Sequence, residues 1–376
     1  MIKKIGIISE LTNDTLNYGN RLQVYALNKY INKLGLNVSS LILNFESRMF
    51  LNKSVIWLVK KLLSKVRECL NRKITEKNPS FFIERLKKCR SFTDKIQIES
   101  FDSLKNFQLC NYDGIIVGSD VVWQQRESSV DKLRFLNFKL LTNYKKISYA
   151  ASFGKNWIPQ HNKRYIKKCL DDFEAISVRE KSSIALLESI GVKNAVHVCD
   201  PTLLLTAEEW GYVAEPVKEI NEKYIFVYLL GKDVSQREAI KKLAEKYNLK
   251  IATIPHADNV YDPVDDDFGD YKLMDASPEN WVWLIKNSEY VITDSFHGTV
   301  FSTIFSKNFL VTKRHWEQDI NMRMTDFLDT IDEQDKFVDI LLVDSLEDFV
   351  WDYEKIHNIT DEFIEKSKDY LEKALN

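Results

Sequence analysis

Residues that interrupt regular structure are scarce in this sequence, which has 11 glycines and 7 prolines among 376 residues. These numbers exclude long linkers and low-complexity tracts, and apolar and charged fractions of 44% and 29% are typical of a globular protein. The five cysteines lie far apart without a C-x-x-C pair, so neither a zinc knuckle nor a disulfide framework is expected. There is no apolar run of membrane-spanning length and no signal-peptide pattern, which predicts a cytoplasmic protein.

The formal net charge of -2 argues against nucleic acid as a partner. One segment, residues 48–73, is strongly basic, and apolar residues recur at helical spacing over 55–70. Two interpretations of this segment stay open. It is either an interfacial helix in peripheral contact with the anionic cytoplasmic leaflet, or a helix packed on the protein with its basic face in water.

Short runs rich in Ile, Val and Tyr alternate with longer amphipathic segments, which is typical of βαβ units with a parallel sheet buried on both faces. The predicted strands are 5–9, 38–43, 114–118, 146–150, 175–178, 195–199, 224–230, 250–254, 290–293 and 309–312. The series pauses near 206–222 and then begins again. The sequence therefore predicts an α/β protein with two Rossmann-like, doubly wound domains, a cleft between them and a C-terminal helical tail, like the GT-B glycosyltransferases.

The predicted N-terminal domain covers residues 1–206, with a basic helical insertion at about 48–105. The predicted C-terminal domain covers 207–376 and includes closing helices. In doubly wound sheets, ligands bind at the carboxyl ends of the strands. Candidate site residues are therefore expected in the loops that follow the predicted strands.

The loop after the first strand contains Asn17, Gly19 and Asn20 and leads into an apolar helix. Gly19 allows an unusual backbone angle or a close approach, and the amides at a helix start suit an anion. A turn with an asparagine cap explains the same residues. This loop is a candidate part of a donor-binding site.

A second loop follows the strand at 114–118 and contains Ser119, Asp120 and Trp123. Ser119 and Asp120 are expected to project into the cleft, where Trp123 would stack against a sugar ring. The alternative is structural, with Asp120 capping a helix and Trp123 filling the core.

Two further strand ends carry basic side chains. Arg179 follows the strand at 175–178, and its guanidinium suits a carboxylate or phosphate. The alternative is that Arg179 is an ordinary surface arginine and that its neighbour Glu180 pairs with a lysine on the following helix. His297 lies between Asp294 and Gly298 where a strand turns into a helix, and the amides of Gly298 and Thr299 are expected to bind an anion. His297 is the candidate acid or base because imidazole titrates near neutral pH.

Seven segments occur in an order that resembles the polysaccharide pyruvyl transferases: NYGNRLQVYAL, DGIIVGSDVVW, SYAASFG, SVREKSS, CDPTLLL, YVITDSFHGTVFS, and Asn321-Met322-Arg323 before Asp326-Phe327-Leu328. The resemblance covers residues 5–328. It implies a GT-B-like fold, phosphoenolpyruvate as donor substrate, and transfer of pyruvate to a sugar or lipid-linked oligosaccharide acceptor as a ketal in capsule or exopolysaccharide biosynthesis. No cofactor and no metal are expected.

The resemblance places donor binding on Arg179 and His297. Characterised relatives often carry Arg-Leu-His where this chain has Ser295-Phe296-His297, so one expected phosphate contact is replaced by a serine. Arg21 and Arg323 are candidates to compensate. Asp294 and Asp120 are candidates to orient the imidazole or to accept a proton from a sugar hydroxyl.

Two other functions fit the same architecture. A GT-B fold also serves glycosyltransferases that use nucleotide sugars, because the fold alone does not determine the donor. With Ser295 in place of a basic residue, the chain could also be a non-catalytic family member that only binds glycans. Thermal stabilisation by phosphoenolpyruvate but not by nucleotide sugars would exclude the glycosyltransferase. Release of phosphate with a suitable acceptor would exclude the non-catalytic protein.

Overall fold

The computed structural model describes residues 4–12, 16–43, 80–125, 130–314 and 318–376. The first half forms a parallel sheet of five strands in the order β3-β2-β1-β4-β5. Its strands are β1 (Lys4–Ile8), β2 (Asn37–Leu43), β3 (Ile98–Phe101), β4 (Gly114–Val117) and β5 (Lys145–Ser148). A parallel pair extends the sheet through bridges at Ile147 and Ala151 and consists of β6 (Ile176–Val178) and β7 (Ala195–His197).

The second half forms a six-stranded parallel sheet in the order β10-β9-β8-β11-β12-β13. Its strands are β8 (Tyr224–Tyr228), β9 (Lys250–Thr253), β10 (Tyr271–Lys272), β11 (Tyr290–Thr293), β12 (Asn308–Thr312) and β13 (Phe337–Val338). Both sheets start with the same 3-2-1-4-5 order, which is that of Rossmann folds. The predicted fold class is therefore confirmed.

Helices cover both sheets and, within the described residues, are α1 (Tyr18–Lys33), α2 (Ser80–Thr93), α3 (Leu104–Gln108), α4 (Gln160–Leu170), α5 (Ser182–Glu188), α6 (Ala207–Val213), α7 (Val234–Lys246), α8 (Pro278–Asn287), α9 (Phe296–Ile304), α10 (Gln318–Thr330) and α11 (Tyr353–Leu375). Central strands such as β4 and β8 are buried along their whole length. Because both faces of these strands are covered by helices, their sequences are continuous apolar runs.

The C-terminal helix α11 crosses back from the second sheet to the first half of the chain. Tyr370 donates a hydrogen bond to the Ser148 carbonyl, and the hydroxyl of Ser367 accepts one from the Cys199 amide. Leu371 and Leu375 are buried in a core cluster that includes residues of both halves. The helical tail therefore closes the molecule against the first sheet.

The predicted basic helix at 55–70 lies outside the described residues. Of the proposed insertion at 48–105, the structure describes α2, β3 and the start of α3. In the described part of the chain, no helix combines the length and the apolar character needed to cross a membrane.

Candidate functional site

The two halves of the chain meet where α1 starts beside His297. Asn17 caps α1, and its Oδ1 accepts a hydrogen bond from the Asn20 amide at 3.0 Å. Gly19 lies directly against the imidazole, so closely that a Cβ atom at this position would overlap the ring. A glycine at this position was predicted to allow either an unusual backbone angle or a close approach, and the structure shows the close approach.

The loop after β4 brings Asp120 into the same cluster. Its backbone has a φ of 62°, in the left-handed region that few side chains adopt without support from their surroundings. Its carboxylate accepts a hydrogen bond from Asn20 Nδ2 at 3.3 Å and lies 3.7 and 3.8 Å from the guanidiniums of Arg179 and Arg323. Burial opposes ionisation, but Arg179, His297 and Arg323 together keep the pKa of Asp120 below its ordinary value.

Arg179, after β6, is almost completely buried and paired with acidic side chains. Its Nε donates to Glu180 Oε1 at 3.0 Å and its Nη1 donates to Asp200 Oδ2 at 3.1 Å. The guanidinium also stacks on Phe296 of the other half, 4.1 Å from the ring centroid. Burial alone would lower the pKa of Arg179, but Glu180, Asp200 and Asp120 raise it above its ordinary value. Arg179 is thus a fixed cation, unlike a mobile surface arginine.

Asp200 is a central residue that the sequence analysis did not select as part of the site. Its Oδ1 accepts hydrogen bonds from the Thr202 amide at 3.0 Å and the Thr202 hydroxyl at 2.8 Å. Its Oδ2 faces Arg179 and lies 3.7 Å from His297 Nε2. Although burial opposes ionisation, His297 and Arg179 keep the pKa of Asp200 far below its ordinary value. An aspartate before a proline indicates only the end of a strand. The sequence feature that could have identified Asp200 as a site residue is its position in CDPTLLL, one of the segments that resemble the family.

His297 is the second residue of α9 and is buried between the two halves. Its Nε2 has no hydrogen-bond partner within the described residues. The helix amides predicted to bind an anion are already used, because Ser295 Oγ accepts from the Gly298 amide at 3.4 Å and the Ser295 carbonyl accepts from the Thr299 amide at 3.0 Å. The anion-binding roles of Gly298 and Thr299 stay predictions, and in this structure Ser295 caps the helix.

Asp294 does not have the predicted role of orienting the imidazole. Its two carboxylate oxygens accept hydrogen bonds at 2.7 Å from the amides of Leu230 and Gly231, and Arg314 Nε donates to it at 3.2 Å. These contacts hold the loop after β8 against the start of α9. The carboxylate that faces His297 is that of Asp200.

Trp123 lies in the core with no exposed surface. Its ring stacks on Phe135 and its Nε1 donates to the Arg134 carbonyl at 2.9 Å. It has no face free for a sugar, so the acceptor-binding role predicted for it is wrong. Ser119, in the same loop, donates a hydrogen bond from its hydroxyl to the Ala150 carbonyl at 3.0 Å, and its backbone amide donates to Gln23 Oε1.

Arg323 enters the cluster from α10. Its Nη1 faces Asp120, while its Nε has no hydrogen-bond partner among the described residues. Burial and the nearby Arg179 lower the pKa of Arg323 to about 10. Helix α10 is fixed to the first half because Asp326 accepts hydrogen bonds from the amide and hydroxyl of Ser182. Arg21, the other candidate, is buried and donates to Thr93, away from these groups.

The cluster thus combines three carboxylates, two guanidiniums and one imidazole at the carboxyl ends of both sheets. Among the described residues, five polar atoms of this cluster are buried without a hydrogen-bond partner: Asn20 Oδ1, Arg179 Nη2, Glu180 Oε2, His297 Nε2 and Arg323 Nε. Such atoms are costly to bury, and their concentration at one place indicates a ligand site. Across the described residues, no three His, Cys, Asp or Glu side chains are arranged so that they could hold a metal ion.

Comparisons with known proteins extend these observations. The family model described as "Polysaccharide pyruvyl transferase" matches residues 17–315. Among solved structures, the chain is similar to MnaA of S. aureus in a co-structure with UDP, with 12% identity, a TM-score of 0.50, and coverage of 99% of this chain and 91% of that chain. It is also similar to a UDP-N-acetylglucosamine 2-epimerase, with 8% identity, a TM-score of 0.53, and coverage of 99% and 95%. A comparison with curated proteins finds no match.

Proposed function

Because the chain belongs to the polysaccharide pyruvyl transferase family, we propose that it transfers pyruvate from phosphoenolpyruvate onto a pair of sugar hydroxyls. The product would be a ketal on a bacterial surface polysaccharide or its lipid-linked precursor. One observation carries the proposal. Arg179 Nη2, His297 Nε2 and Arg323 Nε come together from both halves of the chain, and none of these nitrogens has a hydrogen-bond partner among the described residues.

Phosphoenolpyruvate carries a carboxylate and a phosphate, which match two guanidiniums held by buried contacts. In this proposal Arg179 Nη2 and Arg323 Nε donate hydrogen bonds to the donor substrate, and they supply the positive charge that Ser295 does not. No metal ion or cofactor takes part. Because Asp120, Glu180 and Asp200 already surround Arg179, the two arginines are positioned before the substrate arrives, which lowers the cost of binding.

The imidazolium of His297 protonates the methylene carbon, and the adjoining carbon gains cationic character. A sugar hydroxyl adds to that carbon and its proton passes to Asp120. This carboxylate is a weak base, which suffices because the attacked carbon is strongly electrophilic. The bond between this carbon and the phosphate oxygen then breaks, and phosphate leaves with the electron pair and the proton held by Asp120. The second hydroxyl attacks the same carbon, passes its proton to the now neutral imidazole of His297, and closes the ketal.

The test combines ligand binding with turnover. Phosphoenolpyruvate should raise the melting temperature of the protein, whereas UDP and GDP sugars should not. With a suitable acceptor the protein should release phosphate, and His297→Ala should reduce this release at least about 100-fold while the protein remains folded. His357→Ala is the matched control, since His357 is exposed on α11. Stabilisation by a nucleotide sugar alone, or full activity of His297→Ala, would refute the proposal.

A further inference from the structure

The environment of His297 Nε2 is set by a residue from the other half of the chain. Asp200 Oδ2 lies 3.7 Å away, an ion-pair distance that exceeds that of a hydrogen bond. The opposite edge of the ring is covered by Gly19, where not even a Cβ atom would fit. Nε2 of the imidazole is therefore buried and faced by a carboxylate, while the Nδ1 edge of the ring lies against Gly19.

Asp200 is held more rigidly than an ordinary surface carboxylate. Both hydrogen-bond donors of Thr202 are directed at Oδ1. Oδ2 accepts from Arg179 and lies 3.5 Å from the Ser119 hydroxyl. The residue is buried and caps the 3-10 turn Pro201–Leu204. Its charge cannot move away from the imidazole when a ligand enters.

From this geometry we propose that Asp200 is a positioning residue with two targets. It holds Nη1 of Arg179, which leaves Nη2 for the donor substrate, and it stabilises the imidazolium form of His297 by facing Nε2. The catalytic meaning of the second effect rests on the proposed function, because only protonated His297 can supply the proton to the methylene carbon.

Other charges also face His297, and they partly cancel. Asp120 comes from the loop after β4, Arg179 from the end of β6 and Arg323 from α10, and Asp120 lies at ion-pair distance from both arginines. Two carboxylates and two guanidiniums thus surround the ring. Of these groups, only Asp200 forms an ion pair with His297 in the described part of the chain, so its removal should tip the balance toward neutral imidazole.

The test is a proton NMR titration without any substrate, in which the imidazole signal of His297 is assigned among the six histidines by its loss in His297→Gln. In Asp200→Asn, the midpoint of this titration should move to lower pH by about one unit or more. The asparagine keeps the oxygen that accepts from Thr202, removes the negative charge, and places an amide NH2 where Oδ2 accepts from Arg179.

Glu180→Gln is the matched control. It removes one negative charge from the same buried cluster, but Glu180 contacts Arg179 and Ser152 and is not paired with His297. Its effect on the His297 titration should be less than half that of Asp200→Asn. An unchanged midpoint in Asp200→Asn, or an equal shift in Glu180→Gln, would overturn the proposal.

If Asp200→Asn does not fold, Thr202→Val provides the second variant. It removes the hydroxyl that fixes Asp200 and keeps the size of the side chain, so the midpoint should move in the same direction by a smaller amount. No shift in this variant would count against the proposal. Because the titration needs no turnover, a shift in a protein that releases no phosphate from phosphoenolpyruvate would refute the proposed function and leave the role of Asp200 standing.

Discussion

Replacement of Gly19 by alanine tests whether Gly19 positions His297, because it should reduce the rate of the reaction while the protein remains folded. A Cβ at this position would lie within 3.0 Å of three atoms of the His297 ring, whereas ordinary contacts begin at 3.4 Å. The ring and the start of α1 must therefore separate by roughly 1 Å, a displacement that can reduce the rate of an enzyme about 100-fold.

The loss of stability should be too small to explain the loss of rate. Overpacking costs about 1 to 3 kcal/mol, while alanine in place of glycine in a helix recovers up to about 1 kcal/mol. We therefore expect Gly19→Ala to lower the free energy of unfolding by about 3 kcal/mol at most, which leaves a domain of ordinary stability folded. A large loss of rate in a protein that remains folded identifies a positional effect on His297.

Two assays on the same preparations measure these quantities. Phosphate release from phosphoenolpyruvate gives kcat, and urea denaturation gives the free energy of unfolding. Gly211→Ala is the control, because Gly211 lies inside α6 and the nearest atom to a new Cβ is the flexible end of Lys286. Gly19→Ala with wild-type kcat would show that the contact with His297 does not position the imidazole.

Two further predictions concern pH and the cap of α9. The pKa values of Asp120 and Asp200 are lowered in the folded protein, so their contribution to stability is complete above the unfolded value of about 3.9 and is lost as the pH falls below it. Scanning calorimetry should show a steep fall in melting temperature below about pH 4, and the fall should be less steep in Asp200→Asn; equal slopes would contradict this origin. Because Ser295 caps α9, Ser295→Ala should lower the free energy of unfolding by about 1 kcal/mol in urea, and Ser295→Asp should restore it. If Ser295→Ala instead weakens binding of phosphoenolpyruvate with stability unchanged, Ser295 contacts the donor.

The central strands were predictable because burial on both faces requires continuous apolar sequence. All ten predicted strands coincide with strands of the structure, including β1, β4 and β11. The three that were not predicted, β3, β10 and β13, lie at the edges of the sheets. Edge strands are short and only partly buried, so they leave a weak pattern in the sequence.

Side-chain roles were harder to predict than strands. Asp294 and Trp123 follow strand ends as a site residue would, yet one holds a neighbouring loop and the other fills the core. Asp200 does face the imidazole, although its sequence context indicates only the end of a strand. The direction of a side chain after a strand depends on turn geometry and on neighbours from distant segments, which local sequence does not contain.

Local sequence patterns were enough to predict the two parallel sheets, the order of the loops and the positions of Arg179 and His297 at strand ends, because periodicity and residue type follow from burial and backbone geometry. In contrast, the packing of Gly19 of one half against His297 of the other, and the approach of Asp200 rather than Asp294 to the imidazole, depend on the folded arrangement of distant segments. These contacts join residues up to 278 positions apart in the chain, 297 minus 19, and they form only when both halves close on each other.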